Sequence, residues 1–147
     1  MIKALRQLFI RDLNKLKEEI KSYNNEQNIW KIDGKIANSA SNLCLHLVGN
    51  LNTYIGKELG GTDYIRNRDL EFSQKDVSQK ELVGKIEQTI EVIDQSFAKL
   101  TDAALQEEYP QKVYESKSTT GFMLGSLLAH LGYHLGQINY HRRLLDK

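Results

Sequence analysis

From Thr119 to Tyr140 the chain runs without a single Asp, Glu, Lys or Arg. A helical segment that long and that free of charge has two homes, a lipid bilayer or the interior of a helical bundle. This one carries His130, His134, Gln137, Asn139 and several glycines. A buried helix of a soluble bundle is therefore expected, not a membrane span.

The rest of the chain supplies partners for such a helix. Ile2 to Tyr23 carries an apolar stripe of Leu5, Leu8, Phe9, Leu13, Leu16 and Ile20 at helical spacing. A second helix is expected from Ser39 to Leu59, capped by Ser39 or Ser41 and stopped at Gly60-Gly61. The polar stretch Thr62–Asp69 reads as a loop. Ser78 and Glu81 form a capping-box pattern for a third helix, with Leu82, Ile86, Ile90, Ile93, Phe97 and Leu100 as its core face to about Thr101. Asp102–Ser118 reads as a long connection, and the last helix spans Thr119 to Leu145. Strand signals are weak. The pattern predicts an all-α four-helix bundle forming a single domain over residues 1–147, with long connections, one of which crosses the bundle.

Charge narrows the function classes. Twenty Lys and Arg face 19 Asp and Glu, for a net charge of +1. That balance makes no electrostatic case for nucleic acid or an anionic membrane. The one cysteine, Cys44, reads as a small buried hydrophobe and cannot form an intramolecular disulfide. A single cysteine fits a reducing compartment, and with no signal-peptide pattern in Met1–Arg6 the expectation is a cytoplasmic protein.

At 3.6 residues per turn the last helix divides into three ridges. Leu124, Leu127, Leu128, Leu131, Leu135 and Ile138 make a core stripe. Gly125, Ala129, Gly132 and Gly136 make a small-residue ridge, for which close packing against a helix of the same chain is the favoured reading and a two-fold dimer interface the alternative. His130, His134, Gln137 and His141 make the third. His130 and His134, four apart, sit one above the other on one face. His141 lies about 10 Å beyond His134 along the axis and is expected at the surface near the helix end.

The second helix has a matching polar face of Asn42, His46, Asn50 and Thr53. Two polar seams inside a bundle must satisfy each other or bind something. If they meet, His46, His130 and His134 supply three neutral nitrogens and leave coordination positions open, the usual form of a catalytic zinc site. Imidazole also suits nickel, iron and copper. The alternative at this level is a hydrogen-bonded seam with no ion. Gln137 and Asn50 are candidates to support the ligands or to bridge the helices. His130-Leu131-Gly132-Tyr133-His134 has leucine where a zincin needs its glutamate, and no Glu-x-x-His pair exists for a ferritin-like di-iron centre.

At these residues the chain resembles the DinB superfamily, the YfiT-like metal-dependent hydrolases. The likeness covers nearly the whole chain and is strongest in Asn38–Leu51 and His130–Ile138. Tyr64–Phe72 looks like a subgroup signature. The resemblance implies a four-helix bundle, often dimeric, with a divalent metal held by one histidine of the second helix and two of the last, which map to His46, His130 and His134. Relatives implied by it include transferases that use low-molecular-weight thiols.

Two functions follow as expectations. The first is an enzyme in which a divalent metal, zinc or nickel foremost, lowers the pKa of a bound thiol or water and makes it a nucleophile toward an electrophilic substrate. Arg66 and Arg68 would then recognise a carboxylate, against the simpler reading of a solvated or salt-bridged loop. The second is a non-catalytic metal- or ligand-binding bundle acting as a homodimer.

Overall fold

The computed structural model describes residues 1–147. Its regular elements are helical: α1 (Ile2–Lys21), α2 (Ala40–Leu51), the short α3 (Arg68–Ser73), α4 (Gln79–Ala98) and α5 (Thr120–Leu145). Helix α2 widens at its end into a π-helical segment, Asn52–Lys57, and 3₁₀ turns occupy Glu26–Trp30 and Asp102–Gln106.

The helix starts obey local capping chemistry. Ser39 accepts from the Asn42 N–H and Thr119 from the Phe122 N–H. Ser78 and Glu81 form the reciprocal capping box that their spacing predicts. One apolar cluster joins the helices. Phe9, Leu13, Leu16 and Ile20 of α1 meet Leu82, Ile86 and Ile93 of α4 and Leu124, Leu127, Leu131 and Ile138 of α5, all fully or almost fully buried. Cys44 belongs to this cluster, and burial pushes its thiol up to about 12. No helix is long and apolar enough to cross a membrane.

Around the bundle, α1 packs on α4 and α5, and α2 packs on the same two, so α1 and α2 lie on one diagonal and α4 and α5 on the other. The connections that cross are therefore α1 to α2 and α4 to α5. The long link from α2 to α4 joins neighbours, and it contains α3, which the polar sequence Thr62–Asp69 did not announce. The consequence for function is direct: α2 and α5, far apart in sequence, are adjacent in space.

Two expectations about α5 need correction. Gly125, Gly132 and Gly136 do not pack against a helix of the same chain, because a Cβ built on any of them meets nothing within 4 Å. They lie on an outer face with Phe122, Tyr133 and Tyr140, all exposed. His141 is buried, not at the surface. Tyr23 donates its hydroxyl to His141 Nδ1 at 2.6 Å, and His141 Nε2 donates to the Lys31 carbonyl at 2.8 Å. The reason is the crossing α1–α2 connection, which folds over the end of α5. Asp146 tightens the same corner by accepting from the Asn24 and Asn25 N–H groups and the Asn28 amide.

Burial holds His141 below its ordinary pKa. The unfolded chain takes up this proton near pH 6.5, the folded chain only at lower pH. Over that window the unfolded state binds more protons, so this residue's contribution to stability falls as pH drops. In urea denaturation at about pH 7.5 and about pH 5, wild type should lose more stability on acidification than His141→Asn. Equal losses would remove His141 from the acid response.

Candidate metal centre

His46 projects from the middle of α2, and His130 and His134 stand one turn apart on α5. The His46 and His134 Nε2 atoms each lie 3.1 Å from His130 Nε2. The three ligand atoms fall within 4.8 Å of one another, and the rings are mutually near-perpendicular, at 84°, 88° and 86°. Nitrogens around a tetrahedral zinc ion sit about 3.3 Å apart, given Zn–N distances of about 2.0–2.1 Å. The set thus already approaches the spacing that a shared cation imposes.

The protons make the stronger argument. His46 Nδ1 donates to Glu71 Oε1 at 3.0 Å, which leaves Nε2 bare. His134 Nδ1 donates to Gln137 Oε1 at 2.7 Å, which leaves its Nε2 bare as well. His130 Nε2 faces both bare nitrogens and can carry at most one hydrogen. At least one of the two 3.1 Å contacts therefore sets lone pair against lone pair. Placing the His130 proton on Nδ1 does not help, because Nδ1 is buried with no partner. A cation among the three Nε2 atoms removes the conflict, so these residues fit a metal ion. Burial, reinforced by His134, His46, Arg66 and Arg68, pulls His130 down to about 4. Burial also lowers His46, outweighing the opposing hydrogen bond to Glu71. Both rings are neutral near pH 7, the state a metal requires.

Glu71 was not among the residues singled out by sequence. It is 6% exposed and sits on α3. Arg66 grips its carboxylate with two bonds, Nε to Oε2 at 2.8 Å and Nη2 to Oε1 at 2.9 Å. The chain Arg66–Glu71–His46 fixes the imidazole's tautomer and direction, as the partners of metal-binding histidines generally do. Phe72 covers the His46 ring, with centroids 4.9 Å apart. Helix α3 comes this close because residue 49 of α2 is glycine. A Cβ there would lie 1.9 Å from Glu71 Oε2. The one sequence hint was an acidic residue set between Leu70 and Phe72.

The remaining predicted residues divide by role. Asn42 donates to the Glu71 and Gln74 carbonyls and accepts from Ser39, so it anchors the α3 segment rather than facing a cavity. Gln137 supports His134. Arg66 is committed to Glu71, in keeping with the salt-bridged reading. Arg68 forms no hydrogen bond or ion pair and lines a cavity with Asn50. Two cavities flank the histidines. One of about 540 Å³ is bordered by His134, Gln137, Tyr133 and Tyr140. The other, about 290 Å³, is bordered by His46 and His130.

One protein family, described as "Protein of unknown function (DUF1572)", matches residues 1–147. No curated protein matches the chain.

Proposed function

For a chain that belongs to the DUF1572 family along its whole length, we propose that His46, His130 and His134 hold a divalent metal ion and that the protein is a metal-dependent enzyme of the DinB-like type. The observation that carries this reading is the convergence of the three Nε2 atoms with too few protons to satisfy one another. A bound ion would supply Lewis acidity, lowering the pKa of a thiol or water so that it is a nucleophile at neutral pH. The chain's own residues do the positioning. Glu71 and Gln137 hold the tautomers of His46 and His134, and burial keeps His46 and His130 unprotonated.

Only three protein ligands converge, whereas structural zinc sites are normally closed by four. Open positions beside two cavities favour chemistry over scaffolding. The reaction class that fits is attack of a low-molecular-weight thiol, or of water, on an electrophilic carbon. With a thiol, the sulfur forms the new bond, the leaving group departs with the electron pair of the broken bond, and the thiol proton goes to solvent.

Elemental analysis of untagged protein purified without chelators tests the centre. Near-stoichiometric zinc or nickel is expected, and it should be lost in His46→Ala. Thiols screened against electrophiles with the loaded protein test the chemistry, and turnover unchanged in His134→Ala would overturn metal-activated catalysis.

The exposed face of α5 favours a second reading, a non-catalytic metal-binding bundle that pairs with its own copy through Phe122, Tyr133 and Tyr140 across the open glycines. That reading predicts dimeric sedimentation and metal binding without turnover over the same panel.

A further inference from the structure

The cavity of about 290 Å³ beside His46 and His130 contains polar groups for which the fold provides no partner. Asn50 of α2 is 8% exposed and lines it. Neither end of its side-chain amide is hydrogen-bonded within the protein, and Oδ1 is buried without a partner. An unpaired buried amide is costly, and its neighbours could not be expected to leave it so without a return. Arg68 lines the same cavity and forms no ion pair. Arg66 also reaches it, but its charge is balanced by Glu71. No acidic side chain borders the cavity. Among its side chains the cavity thus offers one uncompensated positive charge, Arg68, apart from any ion that the histidines hold. Its other walls are the apolar Val113, Met123 and Leu127, the rings of Tyr54 and Tyr114, and Ser126.

We infer that this cavity binds a small monocarboxylate with an apolar body, its carboxylate on Arg68 and an adjacent hydroxyl or amide on Asn50. One free guanidinium matches a monoanion in charge and its planar fork matches a carboxylate in shape. A phosphate dianion would need a second free cation, which the metal-free chain does not supply there. A hydroxyl or amide both donates and accepts, so it pairs with the Asn50 amide in either orientation. The apolar walls take a hydrocarbon or aromatic group. This site deepens the proposed function, on which it rests for the role of the bound molecule as the enzyme's substrate, but binding itself requires no metal.

Calorimetric titration of the full chain near pH 7 tests it with three matched probes. Phenyllactate carries the carboxylate, the hydroxyl and an aromatic body. Hydrocinnamate lacks the hydroxyl, and methyl phenyllactate lacks the charge. Phenyllactate should bind tightest, with each of the others about tenfold weaker or more, a difference of about 1.4 kcal/mol. Arg68→Gln should lower phenyllactate affinity about tenfold and erase its advantage over the ester, with metal content unchanged. Arg68 is exposed, so this variant should fold whatever happens to Asn50→Leu, which should erase the advantage over hydrocinnamate. Inorganic phosphate should not displace phenyllactate from the chelator-treated, metal-free chain.

Any of four results would overturn the inference: unchanged affinity in Arg68→Gln, equal binding of the ester, displacement by phosphate from the metal-free chain, or no binding of phenyllactate. Repeating the titration after chelator treatment, with metal measured in each sample, separates the two ideas. Phenyllactate binding by a chain that never holds metal would remove the metal centre and keep this site. Metal without phenyllactate binding would do the reverse.

Discussion

Gly49→Ala should weaken metal binding about 10–100-fold, the range found when partners of metal-bound histidines are removed. The added methyl would sit 1.9 Å from Glu71 Oε2 and 2.6 Å from its Cδ. The end of a long side chain usually moves aside at little cost. Here it is held by both Arg66 nitrogens and by His46 Nδ1, so displacing it breaks the chain that aims the imidazole. Alanine is also the better helix former, by roughly 1 kcal/mol. The helix should therefore survive while the centre loses its alignment. Competition against a metal-binding indicator dye reads the effect, and Glu71→Gln should match it. Affinity unchanged in both variants would show that Glu71 does not position His46.

Arg66→Leu should be the most destabilising single change near the site. Glu71 is buried, and the Arg66 side chain is itself only 15% exposed. Removing one partner of a buried ion pair strands the other charge, at a cost of about 3–5 kcal/mol. The carboxylate would retain only the His46 N–H as a side-chain donor. Urea denaturation near pH 7 should show a loss toward the lower end of that range, because Arg66 is not wholly enclosed. Adding Glu71→Gln should recover part of the loss, since no charge is then left behind. A coupling near zero in the double-mutant cycle would mean that the pair contributes nothing beyond its separate members.

These two residues mark where reading along the chain stops. The His130–His134 pair is a local fact, because a helix of any provenance stacks residues four apart. The caps at Ser39, Ser78 and Thr119 are local for the same reason: each needs only its own first turn. The match of polar faces on α2 and α5 was also readable, as two seams that could not both be buried alone. Arg66 and Glu71 were not readable as a functional pair. Their five-residue separation acquires meaning only when α3 lies against Gly49 and directs the carboxylate at His46.

The same limit explains the errors on α5. Its glycines suggested a packed neighbour because glycine in a helix costs stability, yet which face of a helix meets a partner depends on the arrangement of the other helices. His141 looked terminal, hence exposed, until the crossing connection covered it with Tyr23 and the Lys31 carbonyl.

By itself, the sequence determined the four long helices, most of their ends and the polar faces that carry the three histidines, because periodicity and capping act within a few residues. Only the tertiary structure decided the diagonal order of the helices, the Arg66–Glu71 support of His46, the burial of His141 and the unpaired amide of Asn50 beside Arg68. Each of these depends on contacts between segments distant along the chain, which no local pattern encodes.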